Sequence, residues 1–157
     1  MTAPVAGLCL ASHFGLPVLV QRWLKTGAVI DASDDFGQTP LLYAVKEGHD
    51  AVVQQLLDAG AGVDVSGDTG RTPLSYASIS RAERRCYSPP NLDFDTVVSR
   101  LLDKNANFKA KDDRDRTALT LALKNWATRP LLPCYEQDFR KYRNMCTAFH
   151  PAISTEG

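Results

Sequence analysis

The sequence has few of the residues from which catalytic and metal centres are built. Its 157 residues include three histidines and four cysteines, and no two cysteines form a CxxC pair. It also lacks a phosphate-binding glycine loop, a GxSxG elbow and an HExxH pair. We therefore predict no catalytic residue, no cofactor and no metal site, and we interpret the four thiols as reduced.

An excess of one charge and long apolar runs are absent as well. Eighteen basic residues balance eighteen acidic ones, which argues against a surface that attracts nucleic acid or membranes. No strictly apolar run approaches the roughly 18 residues that a membrane span needs. Residues 1–21 carry no charged side chain, but they have no basic start, and His13, Gly15 and Pro17 interrupt them. We expect a soluble protein of the cytoplasm or nucleus that binds neither nucleic acid nor membranes.

The balanced charge hides a difference between the two halves of the chain. Residues 1–68 hold three basic and eight acidic side chains, whereas residues 69–157 hold fifteen basic and ten acidic ones. The net charges of the two halves are therefore −5 and +5. We predict that this polarity orients partners, or like molecules, head to tail.

A repeat of 33 residues organises the chain, and a period of this length is typical of stacked arrays. The segment TPLLYA recurs as TPLSYA and, weakened, as TALTLA, at residues 39–44, 72–77 and 117–122. A second segment, VLVQRWLKTGA, recurs as AVVQQLLDAGA and TVVSRLLDKNA, at residues 18–28, 51–61 and 96–106. The last offset is 45 residues, so the third unit contains an insertion of 12 residues.

Each part of the repeated unit has a mechanical reason. Thr39 and Thr72 are suited to cap the start of a short helix, and the proline after each fits the first helical turn. Residues that tolerate the left-handed conformation are expected to end the helices, and these are Gly15, Gly27, Gly48, Gly60 and Asn105. One helix pair with its turn cannot bury its own apolar face, so the units must stack.

These motifs resemble the ankyrin-repeat family. The pattern of TP-L-x-x-A, then Gly48-His49, then V-V-x-x-L-L-x-x-G-A fits that family over about residues 6–125, and the RTPLSYA of residues 71–77 is similar to fungal arrays. The resemblance implies an all-α solenoid of about four helix-turn-helix units with exposed turns. It also implies a concave face of turns and inner helices that binds a protein partner as an adaptor, scaffold or regulatory module, without catalysis.

The repeat predicts one domain over residues 1–157. Its units are expected at about residues 5–33, 34–66, 67–111 and 112–149, followed by a flexible tail at 150–157. The third unit carries the insertion at about residues 79–94. The fourth is incomplete and ends in a divergent cap, for which a basic amphipathic helix is the alternative.

The resemblance also marks the side chains at the turn tips and inner-helix ends as partner contacts. These are His13, Phe14, Asp35, Phe36, Gln38, Lys46, Glu47, Asp68, Thr69, Arg71, Asp113, Arg114, Arg116, Lys124 and Asn125. We expect Phe14 and Phe36 to be exposed anchors, because aromatic side chains dominate interface energetics. We interpret His49 as a structural hydrogen-bonding residue. The paired acids at residues 34–35 and 112–113 are interpreted as solvated surface charge.

The insertion and the chain ends leave alternatives open. Arg81, Arg84, Arg85 and Tyr87 are candidates for a recognition loop, and the alternative is an extended helix followed by a solvated loop. A second function hypothesis is an accessory protein or small enzyme with a pocket between the insertion and the C-terminal segment. A third is a truncated remnant of a larger ankyrin protein. At the N-terminal end, Leu8, Leu10 and Leu16 are expected to leave an uncapped apolar surface, which favours a piece cut from a longer array; self-association through this end is the alternative.

Overall fold

Helices are the main regular structure of residues 3–84 and 94–127, the part of the chain that the computed structural model describes. All of these residues belong to one compact unit, Met1–Ala127. The helices are α1 (Ala3–His13), α2 (Pro17–Lys25), α3 (Pro40–Glu47), α4 (Asp50–Asp58), α5 (Pro73–Arg84), α6 (Phe94–Asp103) and α7 (Ala118–Ala127). One isolated antiparallel bridge joins Lys111 and Thr117. The predicted all-α fold class is confirmed.

Threonine side chains start the first helices of three units, as the repeat predicts. The Thr39 hydroxyl accepts a hydrogen bond from the Leu42 N–H at 3.3 Å, and the Thr72 hydroxyl accepts one from Ser75 at 3.4 Å. At the third occurrence of the motif, Thr117 receives the N–H of Thr120 at 3.3 Å. Each cap satisfies a backbone donor that the helix itself leaves unpaired.

Left-handed residues end the helices where they were predicted. Gly48 ends α3 with φ +76°, and its N–H bonds back to the α3 carbonyls. Asn105 takes the glycine position after α6 with φ +61°. Asparagine tolerates this conformation better than most residues, which explains the substitution in the third unit.

The helix pairs stack in chain order. The first helices α1, α3, α5 and α7 pack one on the next, and the second helices α2, α4 and α6 follow them in a parallel row. Residues at equivalent repeat positions form the shared core, such as Leu41 with Leu74 and Leu56 with Leu101, all of them buried. Because the core lies between units, each unit is stabilised by its neighbours.

Hydrogen bonds between successive units recur with the same period. The Gly62 N–H of the second unit donates to both carboxylate oxygens of Asp31 in the first, at 3.0 and 3.1 Å. One repeat later, the Asn107 N–H donates to Asp64 at 2.9 Å. The side-chain acceptor of one unit thus satisfies a backbone donor of the next, which fixes the register of stacking.

The apolar N-terminal end is only partly as expected. Leu10 and Leu16 are exposed, but the expectation for Leu8 is wrong, because Leu8 is fully buried. It occupies the repeat position of Leu41 and packs in the core. Beside it, the Trp23 ring lies against Gly7, where a side chain would collide with it.

The insertion begins as a continuation of α5. This helix has 12 residues, compared with eight in α3, and it runs through Arg81 to Arg84. Residues 79–84 are therefore helical, as the extended-helix alternative expects, while the choice between a solvated loop and a recognition loop stays open. Residues 85–93 and 128–157 lie outside the described part of the chain, and with them the insertion loop, the C-terminal cap and the tail. The domain and unit boundaries stay predictions.

Candidate partner-binding site

Three turns of the same geometry connect the units. In each turn, the first residue donates its N–H to the carbonyl of the residue four positions on, at 3.1 Å for Asp34, 3.3 Å for Gly67 and 2.9 Å for Asp112. The two residues after the first one then lie at the tip and are exposed, at residues 35–36, 68–69 and 113–114. The turns therefore present a regular row of accessible side chains.

Asp34 organises the first of these turns. One carboxylate oxygen accepts the N–H groups of Phe36 and Gln38, both at 2.9 Å, and the other accepts the Tyr43 hydroxyl. Burial opposes ionisation of Asp34, but these hydrogen bonds outweigh it and hold the pKa of the carboxyl below its usual value. Asp34 is thus a structural acceptor rather than a surface charge.

Asp112 fills the same role in the third turn and is more deeply buried. Its side chain is 1% exposed. It accepts the Arg116 guanidinium at 2.6 and 3.0 Å and the backbone N–H groups of Arg114 and Arg116. The Arg116 side chain, followed by these backbone bonds, holds the pKa of Asp112 far below its usual range. The interpretation of Asp112 as a solvated surface charge is therefore wrong, whereas Asp35 and Asp113 are exposed as expected.

The other predicted contacts differ in their exposure. Eight are exposed, namely Phe14, Asp35, Phe36, Asp68, Thr69, Asp113, Arg114 and Lys124. Five are half-buried, namely His13, Lys46, Glu47, Arg71 and Arg116. Phe14 is 64% exposed and Phe36 is 72% exposed, so the expectation that both aromatic rings are accessible is confirmed. The side chain of Asn125 lies outside the described residues.

Gln38 is buried, contrary to the expectation of an accessible turn residue. It is 8% exposed, and its amide donates to the Phe36 carbonyl at 3.2 Å and accepts the Lys46 ammonium at 3.3 Å. The amide also packs against Gly67 of the next turn, where a Cβ atom would lie 2.6 Å from Gln38 Nε2. Burial follows from this second turn, which folds over Gln38. Gln38 positions its neighbours and does not itself reach the surface.

Two tyrosines that sequence reasoning did not single out join these side chains. The His13 ring meets Phe14 and Tyr43 edge-on, with centroids 4.9 and 5.6 Å away. Lys46 Nζ lies 6.0 Å from the Tyr43 ring and 5.1 Å from the Tyr76 ring. A signal was present, because Tyr43 and Tyr76 occupy the same position of the repeat, one period apart.

These contacts connect Phe14 to Gln38 through a series of side chains, and the Gln38 amide continues the series to the backbone carbonyl of Phe36. We call this group of residues the turn face; its accessible members are Phe14, His13, Tyr43, Lys46, Phe36 and Arg71, and Gln38 and Tyr76 are its buried members. It runs from the end of α1 over α3 to the start of α5. The turn face combines accessible aromatic area with cationic donors.

His49 has the structural role that was predicted. Its Nε2 lies 3.0 Å from the carbonyl oxygen of His13, so it ties the second unit to the end of α1. The ring packs on Gly15, whose φ of +64° and missing side chain make room for it. This contact fixes the backbone that carries His13 and Phe14.

The described part of the chain has no grouped metal-ligating side chains and no activated thiol. No three His, Cys, Asp or Glu side chains within residues 3–84 and 94–127 are grouped so that they would hold a metal ion. Cys9 is buried, and burial followed by the charge of Asp34 raises the pKa of its thiol to about 11. Such a thiol is unreactive. Every helix in the same ranges is too short or too polar to span a bilayer.

The insertion candidates fall outside the residues whose side chains the structure describes. Arg81 and Arg84 lie in α5, but their side chains are outside the described residues, as are Arg85 and Tyr87 altogether. A pocket between the insertion and the C-terminal segment, on which the accessory-enzyme alternative depends, falls in the same undescribed ranges. Both hypotheses stay predictions.

Stacked helix pairs with exposed turns define a helical repeat protein. The family model "Ankyrin repeats (3 copies)" matches residues 8–86, half of the chain, and the chain belongs to the ankyrin-repeat family. The match gives no support to a fungal origin. No curated protein matches the chain significantly. Ankyrin repeats are generally protein–protein interaction modules and are typically non-catalytic.

Proposed function

We propose that the chain is a non-enzymatic interaction module, an adaptor, scaffold or regulatory array, that binds a protein partner on its turns and inner helices. The observation that carries this proposal is the exposure of both Phe14 and Phe36, the two aromatic anchors of the turn face. Large accessible aromatic side chains, backed by fixed neighbours, are typical of interface hot spots.

The second support is preorganisation of the anchors. The Phe36 N–H is bonded to Asp34 and its carbonyl to Gln38, while the Phe14 ring packs against His13. A partner that covers these residues therefore orders little backbone on binding. Binding then loses less conformational entropy, so a given buried interface area yields a higher affinity.

The compartment of this interaction follows from the thiols. We infer the cytoplasm or nucleus, because the four cysteines have no spacing typical of a disulfide framework and Cys9 is an unpaired buried thiol. In such a compartment a reduced thiol persists without a bridge. Measuring thiol content in protein taken directly from cells tests this inference, and a native disulfide contradicts it.

The proposal is tested by removing one anchor. Partners are recovered by affinity purification, one is purified, and its affinity for the wild type and for Phe36→Ala is measured by calorimetry. We expect the loss to be about 1–3 kcal/mol, or roughly 5- to 150-fold in Kd. Phe14→Ala is expected to behave in the same way.

Val29→Ala is the matched control. Val29 is also an exposed apolar side chain, but it lies in the loop after α2, away from the turn face. Its loss is expected to leave the affinity unchanged, and all variants are expected to keep the melting temperature of the wild type. Equal affinities for wild type and Phe36→Ala would remove the basis of the proposed binding face.

A further inference from the structure

The turn face carries cationic groups at one place, around the Tyr76 ring. Lys46 Nζ lies 5.1 Å from the ring centroid and Arg71 Cζ lies 5.8 Å from it. Lys46 comes from the end of α3 and Arg71 from the base of the next turn, so the two charges belong to neighbouring units. Tyr76 itself is buried beneath them.

These cations have more hydrogen-bond donors than the described residues use. Lys46 has three N–H donors, and within the described part of the chain its one hydrogen bond goes to Gln38. Arg71 has five donors, and among the same residues its one side-chain hydrogen bond is the long 3.5 Å ion pair of Nε with Asp112. Both side chains are half-buried, and neither has a buried nitrogen without a partner, so their unused donors face water in the unbound protein.

The carboxylates near the two cations already accept hydrogen bonds from other groups. Asp112 is saturated by Arg116 and two backbone N–H groups, and Asp34 is saturated by Tyr43 and two backbone N–H groups. Asp34 acts on Lys46 only through its charge, without an ion pair between them within the described residues. Within the described residues, Arg71 thus shares Asp112 with Arg116 and Lys46 is in no ion pair, so both cations keep donors for a further acceptor.

We propose that the partner segment carries an aspartate or glutamate whose carboxylate binds between Lys46 and Arg71 over the Tyr76 ring. An apolar side chain of the same segment packs on Phe36, which the Gln38 amide links to Lys46. Partly buried, preplaced cations favour such a group, because a charge-assisted hydrogen bond is stronger where water is reduced. The proposal rests on the proposed function and adds the chemistry of the partner.

A peptide with isolated acidic residues fits this surface better than a nucleic acid does. The turn tips beside the cations carry the exposed carboxylates of Asp35, Asp68 and Asp113. A continuous phosphate backbone would be repelled by them, whereas one carboxylate on a mostly apolar segment avoids them. The balanced net charge of the chain agrees with this choice.

Peptide selection tests this chemistry and requires no purified partner. The full chain is used to select from a random displayed peptide library, and the enriched peptides are synthesised with a fluorescent label. We expect enrichment of one Asp or Glu at a fixed distance from an aromatic or aliphatic residue. Enriched peptides without an acid, or a selection that yields no binder, would overturn the inference.

Charge variants then locate the carboxylate. Kd values are measured by fluorescence anisotropy for Lys46→Gln, Arg71→Gln and the control Lys25→Gln, which removes an exposed charge from α2. We expect a loss of about tenfold to a hundredfold for each of the first two and none for the control. Replacing the acidic residue of the peptide by its amide should weaken binding to the wild type by the same tenfold to hundredfold. The same replacement should leave binding to the Lys46→Gln protein almost unchanged. Arg71→Lys is expected to retain most of the affinity, because it keeps the charge.

The outcomes separate this inference from the proposed function. If Phe36→Ala abolishes peptide binding but Lys46→Gln and Arg71→Gln do not weaken it, the binding face stands and the acidic partner is wrong. If neither kind of variant matters, the binding face itself is wrong. Displacement of the peptide by a single-stranded oligothymidylate would overturn the inference in favour of a nucleic-acid partner.

Discussion

Asp31 is the side chain whose removal tests the stacking of the units most sharply. Its carboxylate accepts the Gly62 N–H through both oxygens, at 3.0 and 3.1 Å, across the boundary between the first two units. Asp31→Ala leaves this partly buried backbone donor without its acceptor. A hydrogen bond to a charged group contributes about 1.5–3 kcal/mol, and we expect a loss in this range.

The assay is urea unfolding followed by far-ultraviolet circular dichroism. With an m-value of about 2 kcal/mol per molar urea, the expected loss lowers the midpoint by about 1 M without a change in m. Asp64→Ala breaks the equivalent bond to Asn107, which is exposed, and is expected to cost less. Asp31→Asn keeps an acceptor oxygen and should recover a large part of the loss.

Asp35→Ala is the matched control for this series. Asp35 is an exposed aspartate at a turn tip, and its removal is expected to change the stability by no more than about 0.5 kcal/mol. If Asp31→Ala and Asp35→Ala unfold at the same urea concentration, the repeated side-chain bond does not hold the units in register.

Three further predictions concern a glycine, an acid and a thiol. Gly27→Ala and Gly15→Ala both place a side chain at positive φ, which costs about 1–2 kcal/mol of stability. Only at Gly15 does the new Cβ also meet the His49 ring, at 2.5 Å from Nδ1, so thermal melting should show a further loss of about 1–3 kcal/mol for Gly15→Ala. Equal melting temperatures of the two variants contradict the contact. The pKa of Asp112 is depressed in the folded protein, so its contribution to stability is present above the unfolded pKa of about 3.9 and is lost as the pH falls below it. The melting temperature of Asp112→Asn should therefore fall less between neutral and acid pH than that of the wild type, and parallel curves refute this. Burial raises the pKa of the Cys9 thiol to about 11. Its alkylation by iodoacetamide at pH 8 should therefore be at least about a hundredfold slower in the native than in the unfolded chain. Mass spectrometry measures both rates, and similar rates exclude a buried thiol.

Features that depend on neighbours in sequence were predictable. The Thr39 cap, the Gly48 stop and the Asn105 replacement each involve a backbone within four residues, so the sequence contains all that is needed to place them. The order of stacking was predictable as well, because a unit that cannot bury its own apolar face must use the adjacent one.

Features that depend on the neighbouring unit were not predictable in the same way. Asp34 and Asp112 look alike in sequence, but only Asp112 has arginines on both sides, from its own turn and from Arg71 one unit earlier. Gln38 is buried because Gly67 of the next turn leaves room for its amide. Arg71 and Gly67 belong to a different unit from the residue that each contacts, so no local pattern reveals them, whereas Arg116, the main partner of Asp112, is only four residues away.

Leu8 and the two tyrosines were missed for a different reason. The first unit lacks the TPL motif, so its sequence indicates an uncapped end, although the repeat register gives Leu8 the position of Leu41. Tyr43 and Tyr76 were treated as parts of a folding motif. Their contacts with His13, Lys46 and Arg71 arise only when the units are stacked.

The central claim, that a protein partner covers the turn face, is tested most directly by hydrogen exchange with and without a bound partner or selected peptide. We expect slower exchange at the end of α1, the turn at residues 34–38 and the end of α3. Exchange in the outer helices α2, α4 and α6 should remain unchanged, because their exposed faces lie on the other row of the array. Protection confined to α2, α4 and α6, with none in the turns, would contradict the account.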